Sequence, residues 1–178
     1  NVQRANLHHL IGMPTRVSGG IAWLNVLCST SHNCAFSEIQ NSYSTTTYSW
    51  TANVLAHETG HNLGSPHTHA CSWPGGPIDG CAPTVNSAYA EGNCTAVPIP
   101  TKGTIMSYCH LIGNVGIDPF GLGFGPLPKN LILNRISASP CVTEVGEPVN
   151  PVNPTLPALC AVKSNTKYEW IDETVING

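Results

Sequence analysis

What this chain has least of is charge. Seven Lys and Arg and ten Asp and Glu make up only 10% of its 178 residues, for a formal net charge of −3. A surface of that kind carries no basic field to hold a phosphate backbone or an anionic bilayer, which argues against nucleic acid and acidic membranes as partners. No apolar run reaches the roughly 18 residues that a bilayer-spanning helix needs, so no membrane span is expected. No two cysteines stand in C-x-x-C spacing, which disfavours a cysteine-ligated zinc site or a thioredoxin-like redox motif.

What is abundant is equally informative. The 17 glycines and 15 prolines describe a loop-rich chain. Eight cysteines (Cys28, Cys34, Cys71, Cys81, Cys94, Cys109, Cys141 and Cys160) are many for a cytosolic enzyme and are best explained as disulfides of an oxidising compartment, secreted or at the cell surface. Spacing alone leaves their pairing open. Three scattered acids, Asp79, Glu91 and Asp118, are the available donors for a Ca2+ site, but isolated acids are ordinarily just solvated.

The densest chemistry lies in residues 57–67. His57, Glu58, His61, Gly64 and His67 spell H-E-x-x-H-x-x-G-x-x-H, five fixed positions over eleven residues. Residues four apart share a helix face, so His57 and His61 can hold one Zn2+ at about 2.0–2.1 Å each. The stretch before them contains neither Gly nor Pro, with Ser49 available as N-cap. Gly64 lets the helix stop in a left-handed turn, and Pro66 keeps it from resuming. His67 then returns as a third ligand and leaves the fourth position open, as catalytic zinc requires. Glu58 can reach a metal-bound water without ligating the metal. The competing reading, ordinary helix and loop histidines, suits a lone His far better than this register. His69 fits no ligand spacing and is expected to be a surface or supporting residue. His8, His9 and His32 are expected to be structural or solvent-facing. His110 has the best claim of the rest to a place in a substrate cleft.

Downstream, Gly103, Thr104, Ile105, Met106, Ser107 and Tyr108 resemble the Met-turn of the metzincin zinc peptidases. Within that class the chain is most similar to the adamalysin (reprolysin) type, over about residues 6–142. Residues 19–28, a short apolar run bounded by Gly-Gly and a Cys-Ser-Thr-Ser turn, resemble its cleft-side edge strand, with Gly20, Ile21, Ala22, Trp23 and Leu24 as the substrate-pairing positions. A helix opening at Pro128 follows the Met-turn. The chain departs from the family in two places. Thr68 stands where adamalysins carry Asp after the third His, and Tyr108 two residues after Met106 resembles astacins and serralysins, where that Tyr approaches zinc or the oxyanion.

The resemblance implies an α+β metzincin catalytic domain: an incomplete upper sheet with an edge strand, a zinc helix, and a disulfide-rich lower part with the Met-turn and a C-terminal helix. It implies one catalytic Zn2+ on His57, His61 and His67, with Met106 as an apolar floor. It implies Glu58 as general base and acid toward a zinc-activated water, with Tyr108 assisting, and protein or peptide as substrate. It favours a Cys28–Cys141 disulfide, with Cys71, Cys81, Cys94 and Cys109 stapling the loop before the Met-turn. The alternative from another class is a catalytically silent, zinc-bearing binding module, which would ordinarily have lost Glu58 or a ligand.

Three segments are expected. Residues 1–142 form the catalytic domain, without its N-terminal part, because only 56 residues precede His57 where the class takes on the order of 100. Residues 143–158, with Pro at every third position over part of their length, read as a stiff extended linker. Residues 159–178 resemble the opening of a β-rich GEVED-like module of secreted bacterial proteins, with Cys160 pairing beyond it or free.

Overall fold

Two strands with almost uninterrupted burial set the centre of the sheet. β1 (His8–Gly12) and β3 (Cys34–Glu38) pair in parallel, His8 opposite Cys34 and Gly12 opposite Glu38. A parallel strand covered on both faces has no solvent face to mark with polar residues, and the run His-His-Leu-Ile-Gly shows none of the alternation of an exposed sheet. The computed structural model describes residues 6–16, 19–41 and 47–142, together with the backbone of strand 168–171. The linker 143–158, most of 159–178 and Cys160 therefore lie outside the described residues.

The sheet runs β2-β3-β1-β4. β2 (Gly20–Ala22) lies antiparallel to β3, Gly20 opposite Ser37 and Ala22 opposite Ala35, and forms one edge. β4 (Tyr168–Ile171) lies antiparallel to β1 on the other side, so the described part of the last segment extends this sheet. The edge strand is shorter than expected: Trp23 and Leu24 lie beyond it. Asn25 and Cys28 both adopt left-handed backbone (φ 59° and 68°), which turns the chain off the sheet. The peeled-off segment instead caps the main helix, with Asn25 N donating to His61 O, and Val26 N and Leu27 N donating to Asn62 O.

That helix, α1 (Trp50–Asn62), starts as the sequence suggests, with the Ser49 hydroxyl accepting from Ala52 N. It ends in a Schellman motif, with Ser65 N donating to Gly60 O and Gly64 N to His61 O, and Gly64 at φ 99°. Its buried face is mostly polar, because it carries the site rather than a core. Asn62 satisfies that burial by donating to both Trp23 O and Cys34 O, which locks the helix end to the sheet.

Beyond α1, short helical pieces and turns take over. α2 (Cys81–Val85) and a 3-10 turn (Cys109–Leu111) are joined by the Cys81–Cys109 disulfide, which packs with Val115 and Ile117 in a small core. α3 (Pro126–Ser137) begins two residues before the expected start, with Pro126 at its first position. Pro128 remains compatible two residues later, where helix N–H groups still lack intrahelical partners. The Cys28–Cys141 bond ties the end of α3 to the segment after β2, the pairing implied by the resemblance. Cys71–Cys94 staples the intervening loop. Among the described residues no helix is long and apolar enough to cross a membrane.

Candidate metal centre and active site

α1 delivers His57 and His61 on one face, and the chain reversal at Gly64 and Pro66 returns His67 to them. His61 Nε2 lies 3.1 Å from both His57 Nε2 and His67 Nε2. The protons of all three rings can be assigned from their other nitrogens. His57 Nδ1 sits 2.7 Å from Ile105 O, and His61 Nδ1 sits 2.8 Å from Ser65 O. Carbonyls only accept, so both Nδ1 atoms carry the hydrogen. His67 Nδ1 likewise meets the Glu91 carboxylate. Three Nε2 lone pairs are thus left facing one another with no proton between them.

Such an arrangement is repulsive unless a cation occupies its centre. The 3.1 Å separations match those of nitrogens sharing an ion at about 2.0–2.1 Å. The donor set therefore fits Zn2+. Burial, reinforced by the neighbouring imidazoles, pushes His57 well below its ordinary pKa and His61 down to about 4, so both rings are neutral at physiological pH.

Glu58 lines the same cleft as the three histidines, a space of about 550 Å3 between β2, α1 and residues 108–111. Burial raises its pKa to about 8, and a divalent cation nearby would act in the opposite sense. An added Cβ on Gly20 would lie 2.5 Å from Glu58 Oε1, so the carboxylate lies directly against the edge strand. Ile21 on β2, and Trp23 and Leu24 beyond it, are exposed, at 67%, 50% and 53%.

The segment around Met106 packs beneath α1 beside the histidines, with His57 Nδ1 on Ile105 O. Met106 is completely buried and its sulfur fills the space under Gly60. Thr68 explains the missing Asp: it is buried, and both its backbone N and its hydroxyl donate to Met106 O, at 3.1 and 3.3 Å. Tyr108 lines the cleft, its ring 4.7 Å from that of His67 and 6.2 Å from that of His57. His110 lines it too, edge-on to Trp50 at 5.6 Å.

Residues 1–109 match the family model of metallo-peptidase family M12. The chain belongs to that family. Comparison with curated proteins and with solved structures gives no match. Membership of M12, together with the three-histidine group, supports a zinc-dependent peptidase acting on protein or peptide substrates. The mixed α+β architecture, a small sheet with few helices, agrees with an M12 domain.

One part of this M12 site is not legible in the sequence. Glu91 was read as a scattered acid, yet its carboxylate bonds His67 Nδ1 and lies 3.5 Å from His69 Nε2. Burial opposes its ionisation, but hydrogen bonds from the two histidines prevail and hold it well below the usual carboxylate range. Of the two places expected for His69, surface or support, it takes the second: it is 3% exposed and stacked on His67 at 11° between planes. Only the Cys71–Cys94 pairing could have pointed to Glu91, since it folds residue 91 back beside residues 67–71. The other acids stay apart, with Asp79 accepting from Cys81 N and Asp118 from Gly121 N.

Proposed function

We propose that this protein is a secreted zinc endopeptidase of the metzincin type, with Zn2+ on His57, His61 and His67. The observation that carries the reading is the convergence of three deprotonated Nε2 atoms beside a cleft that holds Glu58 and the free edge of β2. Bound there, Zn2+ would acidify a water and polarise the scissile carbonyl.

The chain's own residues supply the rest. β2 offers main-chain groups at Gly20, Ile21 and Ala22 to an extended peptide, which adds as an antiparallel strand. Trp23 and Leu24 continue that surface with apolar side chains. Glu58 takes the proton of the attacking water and returns it to the leaving nitrogen. Tyr108 stands over the cleft with its phenol available to the developing oxyanion; its burial, with Glu91 and Glu58 nearby, raises its pKa and keeps it a donor. Met106 gives shape to the floor. The three disulfides among the described residues suit an extracellular setting. Residues 1–142 form the catalytic part, and strand 168–171 extends its sheet.

The test is cleavage of an unfolded protein by the natural chain, by Glu58→Ala and by Tyr108→Phe, with products identified by mass spectrometry. Internal cuts by the wild type, a loss of about 10^2–10^4-fold in Glu58→Ala and abolition by a chelator are expected. Zinc uptake without cutting by any form would favour the binding-module reading. Unchanged turnover in Tyr108→Phe would remove that residue from the chemistry.

A further inference from the structure

The third ligand is held differently from the first two. His57 and His61 are oriented by backbone carbonyls of Ile105 and Ser65, which no side-chain substitution removes. His67 alone depends on a side chain, Glu91, twenty-four residues away. The Glu91 backbone is fixed independently of that contact. Residues 70 and 91 form a parallel bridge, Cys71 N donates to Glu91 O at 2.9 Å, and the Cys71–Cys94 disulfide closes the loop three residues later. Gly92 has φ 106°, and an added Cβ would lie 2.9 Å from both Cβ and Sγ of Cys71, so the loop passes hard against the disulfide. The other face of the His67 ring is covered by His69, buried and stacked at 4.9 Å, whose Nε2 also faces the Glu91 carboxylate.

We propose that Glu91 is a positioning residue for the metal: its carboxylate fixes the His67 tautomer and ring orientation and so sets zinc affinity. A carboxylate on the far nitrogen of a ligating imidazole fixes its proton and raises its basicity, and losing such a partner typically weakens metal binding 10–100-fold. The disulfide-clamped loop thus does more than cover the site, because it carries one corner of the metal centre. This inference rests on zinc occupying the three histidines.

The experiment measures zinc dissociation constants by competition with a chromophoric chelator, and the visible spectrum of the Co2+-substituted protein. The proteins are wild type, Glu91→Gln and Glu91→Ala, with the melting temperature of each metal-free form alongside. Glu91→Ala should bind zinc 10–100-fold more weakly with an altered Co2+ spectrum, while its metal-free melting temperature stays at the wild-type value. Glu91→Gln, which keeps an acceptor but no charge, should fall between. Wild-type affinity and spectrum in Glu91→Ala would overturn the inference while leaving the zinc site intact. A loss of affinity matched by a fall in metal-free melting temperature would also overturn it, as the sign of a merely structural residue. A wild type that takes up no zinc would instead overturn the reading of the site, and this inference with it.

Discussion

The sulfur of Met106 occupies the place where a side chain on Gly60 would go. A Cβ added there would lie 2.5 Å from Met106 Sδ and 2.9 Å from Phe124 Cε1. Gly60 lies inside α1 between two ligands, where helix propensity alone favours Ala by about 0.5–1 kcal/mol. The turn has nowhere to move, since Met106 is completely buried. Gly60→Ala should therefore destabilise, because overpacking costs about 1–3 kcal/mol and exceeds the propensity gain. Thermal melting checks this; a raised melting temperature would mean the floor is softer than its packing implies.

Gly20 is constrained by function rather than by conformation. Its Cβ would meet Glu58 Oε1 at 2.5 Å and Cγ at 2.6 Å, so any side chain displaces the carboxylate. Gly20→Ala should lower kcat at least about tenfold, part of what general acid–base help supplies, while zinc stoichiometry stays at the wild-type value. Steady-state kinetics with metal analysis on the same samples would decide it. A change confined to KM would assign Gly20 to substrate docking alone.

His9 couples the sheet to α1 and should make stability depend on pH. Its Nε2 lies 2.8 Å from Ser37 Oγ, whose hydroxyl lies 3.4 Å from Val54 O, and its Nδ1 lies 3.5 Å from Thr59 Oγ1. The neutral ring suits these partners, and burial lowers its pKa from 6.5 to about 4. Below pH 6.5 the unfolded chain binds a proton that the folded chain refuses until about pH 4. Stability from this group is therefore level above 6.5, falls as pH drops towards 4, and is level again below, a change of at most roughly 3 kcal/mol. Metal-free wild type and His9→Gln, melted at several pH values, should differ in slope only in that window. Parallel curves would show that His9 titrates normally.

The ligand triad was legible in the sequence because helix periodicity and a Gly-terminated turn are local. His57, His61, Gly64 and His67 needed nothing from the rest of the chain to be read. The Ser49 cap was legible for the same reason. Glu91, Asn62 and Thr68 were not, since each acts on a residue brought near by folding. The edge strand ends at Ala22 although Trp23, Leu24, Val26 and Leu27 keep a strand-like apolar pattern, because Asn25 and Cys28 take up left-handed backbone that hydrophobic pattern does not signal. Asn25, Val26 and Leu27 donate instead to the end of α1, a long-range partner.

The central claim is that one zinc on three histidines makes this chain a peptidase. Its most direct test is to titrate Zn2+ into the metal-free protein while following cleavage of an unfolded protein. Activity should rise in proportion to zinc and saturate at one equivalent per chain. Cleavage indifferent to zinc, or absent at full occupancy, would contradict it.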